Sequence, residues 1–183
     1  MGLVGFGKIP KEIARKVAAL GMVVLTYDIY IAEEHIRSAD VVSVYVPLNV
    51  EIKHMFTLYL FREIKPEGYF INVGRCQLVN ESELVEAIEK KIIASATSDV
   101  TESELVQKNN PLLGLYNVII TPYQAWYSDE TEIRLQLGAA GDVARVLSGY
   151  CPKNLVTPRV RNIVKLKELE KIYYDIFQYK HIK

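Results

Sequence analysis

The first apolar run of the chain is short. Gly2-Leu3-Val4-Gly5-Phe6-Gly7 reads as a strand delivered straight into a glycine turn. The period then changes. From Pro10 to Leu20 the residues Ile13, Val17 and Leu20 share one helical face while Lys11, Arg15 and Lys16 share the other, and Gly21 closes the helix. Met22–Tyr27, Ala39–Val46, Tyr69–Val73, Ile92–Asp99 and Asn117–Thr121 are further short apolar runs of strand character. Helical patterns over Ala32–Ser38, Leu58–Ile64, Asn80–Lys90 and Ser128–Leu147 separate them. Asn80 stands at an N-cap with Glu83 in the capping-box position, Ser128 caps the long helix, and Gly149 stops it. This alternation predicts an α/β domain built on a doubly wound parallel sheet, with helices on both faces.

Two stretches depart from the alternation. Between Asp28 and Asp40 there is room for one short helix and none for a strand, so the third strand, which would lie at a sheet edge, is expected to be missing. After residue 158 the character changes. Ile163, Leu166, Leu169, Ile172, Tyr173 and Ile176 recur at helical spacing, which predicts an amphipathic helical tail over 159–183 behind a domain of residues 1–158. Its charges are mixed in sign, which favours packing on the sheet or a neighbouring subunit over a membrane surface.

Composition narrows the function classes. Half of the 183 residues are hydrophobic, and 22 Lys+Arg balance 22 Asp+Glu, so no basic excess points to nucleic acid. No apolar stretch is long enough for a bilayer span. Cys76 and Cys151 form no CxxC pair and no signal peptide is evident. Reduced thiols in a cytoplasmic protein are the expectation.

The candidate chemistry begins at the glycine turn. Gly5-Phe6-Gly7-Lys8-Ile9-Pro10 follows a strand and opens a helix, the context a dinucleotide loop needs. The first glycine permits the turn and the second lets the backbone approach a pyrophosphate at the helix N-terminus. Pro10 stands where a third glycine is usual. It removes one N–H from the anion site and adds bulk beneath it, weakening the site without abolishing it. Asp28 follows Gly7 by twenty-one positions, where a carboxylate accepts from ribose hydroxyls, repels a 2′-phosphate and so favours NAD over NADP.

Three later segments carry a family resemblance: Ile71-Asn72-Val73-Gly74-Arg75; Ser98-Asp99-Val100-Thr101-Glu102-Ser103-Glu104; and the run from Asn117 through Thr121-Pro122-Tyr123-Gln124-Ala125-Trp126-Tyr127-Ser128. With the glycine loop they resemble the NAD-binding, Rossmann-like domain of the D-isomer-specific 2-hydroxyacid dehydrogenases. The Ala-Trp-Tyr-Ser ending is most similar to the branch that includes the C-terminal-binding-protein corepressors. The resemblance implies that Arg75 clamps a 2-hydroxyacid or 2-ketoacid and that Glu104 orients an acid–base residue. It implies cofactor contacts from Gly5, Gly7, Lys8, Ile9 and Asp28. Further contacts are implied for Pro47, Val73, Gly74, Arg75, Asp99 and Trp126.

The chain also departs from the family. The histidine that should follow Thr-Pro is Tyr123, and a phenol, with an ordinary pKa of about 10, donates a proton at neutral pH far more readily than it takes one up. His35, His54 and His181 are not placed by motif to replace it. Ile52 stands where a hydroxyl near the cofactor phosphates is expected. The family's separate substrate domain would precede the glycine loop, whereas Met1 stands on the first strand, so a truncated chain supplying one wall of the cleft is expected. The departures imply chemistry that is impaired or dependent on a partner, either a homodimer mate or a separate substrate-domain chain. A non-enzymatic NAD(H)-binding interaction module and an inactive truncated product are the alternatives.

Overall fold

The computed structural model describes residues 1–27, 33–103, 106–157, 159–160 and 167. The chain divides into two compact units, residues 1–125 and 126–183.

The first unit is built on one sheet of six strands: β1 (Gly2–Val4), β2 (Leu25–Tyr27), β3 (Val41–Val44), β4 (Tyr69–Asn72), β5 (Ser95–Ser98) and β6 (Val118–Ile120). Their order is β2-β1-β3-β4-β5-β6 and every neighbouring pair is parallel. Among the described residues four helices connect them: α1 (Lys8–Ala19), α2 (Glu33–Ser38), α3 (Leu58–Phe61) and α4 (Glu81–Glu89). The expected doubly wound α/β sheet is borne out. Among the described residues no strand lies beyond β2, as the short Asp28–Asp40 interval predicts.

Parallel strands buried on both faces need continuous apolar runs, and the sequence supplies them. Val4, Val42, Val44 and Phe70 are at most 1% exposed. Phe70 forms an aromatic cluster with Phe56 and Phe61, at centroid distances of 4.8 and 5.1 Å. Burying each such side chain contributes about 1.5–3 kcal/mol. Ile36 of α2 and Leu84, Ala87 and Ile88 of α4 close over the same core.

Element bounds differ from the sequence pattern where apolar residues are used to stop helices. α1 begins at Lys8, two residues before Pro10, and Leu20 is exposed outside its apolar face. Met22 does not enter β2, because its N–H closes back on the Val17 carbonyl after Gly21 turns at φ +85°. Ile92 likewise donates to Ala87 behind Lys91, which sits at φ +55°, so β5 starts only at Ser95. The expected capping box at Asn80 forms in altered shape. The Asn80 side chain accepts from Glu83 N–H, while its amide donates to the Glu83 carboxylate. The other carboxylate oxygen accepts from Leu58 N–H at the start of α3.

In the second unit, α5 (Asp129–Leu147) starts at Ser128, whose hydroxyl accepts from Thr131 N–H, and ends before Gly149 at φ +81°. The Asp142 carboxylate accepts from Lys153 N–H at 2.6 Å and from Asn154, fastening the following loop to the helix. The tail expected over 159–183 lies almost wholly outside the described residues. Of it, Lys167 pairs with Tyr150 in a parallel bridge.

Candidate functional site: the carboxyl rim of the sheet

The register decides which residues meet. Val4, Val44, Asn72, Ser98 and Ile120 lie in one row across β1, β3, β4, β5 and β6. The next residue of each strand is therefore Gly5, Tyr45, Val73, Asp99 or Thr121, and these form the carboxyl rim. The chain order reverses between β1 and β3, and open α/β sheets bind ligands in the crevice at such a switch point. Sequence segments far apart in the chain thus share one edge.

At the β1 end the site is made of backbone. Gly5 has φ +95°, and a Cβ there would lie 3.1 Å from Tyr45 and Val46. Any larger residue would push the β1 turn off β3. Gly7 differs, because a Cβ added there meets nothing within 4 Å. Its missing side chain keeps open the approach to the α1 N-terminus. The first turn of α1 holds no acidic residue and its N-cap makes no side-chain hydrogen bond, so the leading N–H groups face outward with the helix dipole behind them. This fits a pyrophosphate. Pro10 is the third residue of α1, not the first, and is the helix's buried residue. Its missing N–H is still among the four that no helix pairs. Lys8 and Ile9 are exposed on that first turn, and Pro47 is exposed after β3.

At the β4 end the site is made of side chains. Asn72 is 1% exposed; its Oδ1 accepts from Gly74 N–H and its Nδ2 donates to the Arg75 carbonyl, both at 3.1 Å. This closes the Val73-Gly74 turn and sets Arg75 at the rim. Arg75 Nη1 donates to the Gly74 carbonyl at 2.8 Å and to the Tyr123 hydroxyl at 3.4 Å. Tyr123 is half exposed and sits at φ +55°, a left-handed conformation uncommon outside glycine.

The structure thus brings Arg75 and Tyr123 together. Asp99, 3% exposed, accepts from the Thr121 hydroxyl, from Gln124 N–H at 2.7 Å and from Ala125 N–H at 3.0 Å. Asn72 and Thr121 were not singled out from sequence. An Asn two residues before a turn glycine is a recognisable Asx-turn signal, whereas Thr121 could be found only through its partner.

Around this rim lies a second polar group. Glu102 N–H donates to Glu81 and Glu81 N–H to Glu102, while His54 Nε2 stands 3.9 Å from Glu102. Burial, with the nearby Glu102 and Glu81 carboxylates adding to it, pushes the Cys76 thiol up. Ile52 lies in the turn that follows Pro47. It is 7% exposed within the core, and Asn49 caps its N–H. Asp28 and Glu104 lie outside the described residues. Trp126 opens the second unit, where it packs edge-on against Tyr127 at 5.6 Å.

The fold and rim define a class, and comparison with known proteins names it. Residues 1–125 match the family described as D-isomer specific 2-hydroxyacid dehydrogenase, NAD binding domain. The chain belongs to that family, and the expected NAD cofactor is borne out at the level of the domain.

A glyoxylate reductase of Korarchaeum cryptofilum is 32% identical over 174 residues, 87% of this chain and 52% of the relative. A D-3-phosphoglycerate dehydrogenase of Archaeoglobus fulgidus is 31% identical, covering 92% of this chain and 33% of that one. The crystal structure of D-lactate dehydrogenase with NAD+ from Lactobacillus jensenii superposes with TM-score 0.78 at 26% identity, covering 85% of this chain and 55% of that one. The chain spans about half the length, or less, of the curated relatives it matches.

Proposed function

We propose that this chain is the cofactor-binding half of an oxidoreductase acting on a small 2-hydroxyacid or 2-ketoacid. The observation that carries the reading is the meeting of Arg75 and Tyr123 on the rim that also bears the glycine loop. The N–H groups of the loop and of α1 hold the pyrophosphate, and Asp28 takes the ribose hydroxyls. Val73 and Gly74 line the cofactor, with Pro47 at its border. Bound NAD supplies or takes the hydride.

The residues of the chain supply the rest. Arg75 presents a guanidinium fork to the substrate carboxylate. Because Tyr123 accepts from Arg75, its own proton is left to donate to the carbonyl oxygen of a ketoacid. A phenol suits this direction better than the reverse, so turnover is slow where the group must take up a proton. Titration with NADH, followed by nicotinamide fluorescence, tests the cofactor reading. Saturable binding is expected, and a folded sample that never saturates overturns it. With a substrate domain supplied, Tyr123→His is expected to raise ketoacid reduction about 100-fold, as a placed acid–base group does. No change would remove Tyr123 from the reaction.

The same reading includes self-association through α5. None of its residues is buried, Ile133, Leu135 and Leu137 are exposed, and Cβ positions at Gly138 and Gly141 are open. A dimeric mass by light scattering is expected, and a monomer at high concentration counts against it. Free thiols at Cys76 and Cys151, and no helix among the described residues long and apolar enough to cross a membrane, suit a cytoplasmic setting.

A further inference from the structure

We infer that Asp99 is a positioning residue, which sets the Tyr123 hydroxyl against Arg75 by holding the 121–125 loop from beneath. As a statement about the reaction, this rests on the dehydrogenase reading above.

A buried carboxylate is stable only when its oxygens are satisfied, and among the described residues Asp99 draws its three side-chain donors from one loop. Thr121 lies at the start of that loop, while Gln124 and Ala125 lie just past Tyr123. The backbone repeats the grip, because Tyr123 N–H donates to the Asp99 carbonyl at 3.0 Å and Thr121 N–H to the Ser98 carbonyl at 3.0 Å. Residues on both sides of Tyr123 are therefore fixed to one carboxylate and one strand end.

That grip explains a conformation the local sequence disfavours. Tyr123 at φ +55° is strained for a residue with a side chain and persists only where its surroundings over-determine it. The left-handed turn directs the phenol to Arg75, whose own turn is closed by Asn72 from the next strand. Two buried polar side chains on adjacent strands, Asn72 and Asp99, thus aim the two groups that meet. A carboxylate has about four acceptor positions, so three loop donors leave about one for an incoming group. Asp99 serves the loop first and any ligand second.

Fluorine NMR on the full chain labelled with 3-fluorotyrosine tests the assignment. The chain has 12 tyrosines, and Tyr123→Phe identifies the Tyr123 line by its loss. Arg75→Ala is expected to displace that line. Asp99→Ala should displace it in the same direction, by at least half as much, while the other lines stay in place. Asp99→Asn, which keeps one oxygen for Thr121 and Gln124, should restore part of the shift. A Tyr123 line unmoved by Arg75→Ala, or moved by Arg75→Ala and not by Asp99→Ala, overturns the inference. Should Asp99→Ala not fold, Thr121→Val removes a single donor, and an unmoved Tyr123 line in that variant overturns it equally. These lines are read without cofactor, so failure of NADH binding would remove the dehydrogenase reading and leave this result intact.

Discussion

The glycine loop and the Arg75–Tyr123 edge share one carboxyl rim, yet different forces hold them. The loop is shaped by exclusion. Gly5 fits because nothing larger can pass Tyr45 and Val46, and its chemistry comes from backbone N–H groups and a helix dipole. The Arg75–Tyr123 edge is shaped by satisfaction. Asn72 and Asp99 are buried polar groups whose hydrogen bonds dictate two turns. A site of the first kind survives wide sequence change around its glycines. A site of the second kind depends on each member of its network.

The largest effect should come from closing the gap that the loop depends on. Gly5→Ala adds a Cβ at 3.1 Å from two residues of the rim in a left-handed backbone. Strain and overpacking together should cost about 3 kcal/mol. A melting temperature lowered by several degrees, together with lost NADH binding, is expected. A variant as stable as the parent would mean that the loop is not held as described.

Next in size is the network side. Asn72→Ala leaves Gly74 N–H and the Arg75 carbonyl without their partner in a half-buried turn, which should cost about 1–3 kcal/mol in denaturant unfolding. NADH affinity should fall less than in Gly5→Ala, because the glycine loop is untouched. Equal losses of affinity would dissolve the distinction between the two regions.

Much of this contrast was legible in the chain, and the illegible part is physically specific. Alternating periods gave the strand and helix sequence, and Gly5-Phe6-Gly7 after a strand gave the phosphate loop. Both are local signals, carried by conformations only certain residues adopt. Helix stops were harder. Met22 and Ile92 are apolar and β-compatible, but their N–H groups close α1 and α4. Arg75 and Tyr123 stand forty-eight positions apart, and only the family resemblance put both in one site. The role of Asp99 as a loop anchor depends on sheet register, which no local pattern encodes.

Gly7→Ala sharpens the comparison within the loop itself. The added methyl meets no atom within 4 Å, so stability should change by no more than about 0.5 kcal/mol, as at an unconstrained surface site. The methyl does occupy the space through which a pyrophosphate reaches the N–H groups. NADH affinity should fall about tenfold, equivalent to about 1.4 kcal/mol. Calorimetry and fluorescence titration on one sample separate the two quantities. A methyl that left affinity unchanged would place the phosphates elsewhere.

The smallest effect concerns Tyr45, the residue whose backbone Gly5 packs against. Burial raises the Tyr45 hydroxyl above the usual phenol range, and a hydrogen bond from Ser43 at 2.8 Å only partly offsets this. Burial raises Tyr27 in the same direction. A group whose pKa is higher folded than unfolded holds its proton longer in the native state. Its contribution to stability is whole below the unfolded value of about 10 and drains away as pH rises through the folded one. Stability should therefore be level through neutral pH and decline above about pH 10. Tyr45→Phe should make that decline shallower, and should lower the neutral plateau by about 1 kcal/mol because the buried Ser43 hydroxyl loses its acceptor. An alkaline limb identical in the two proteins would mean that Tyr45 ionises as freely in the fold as out of it.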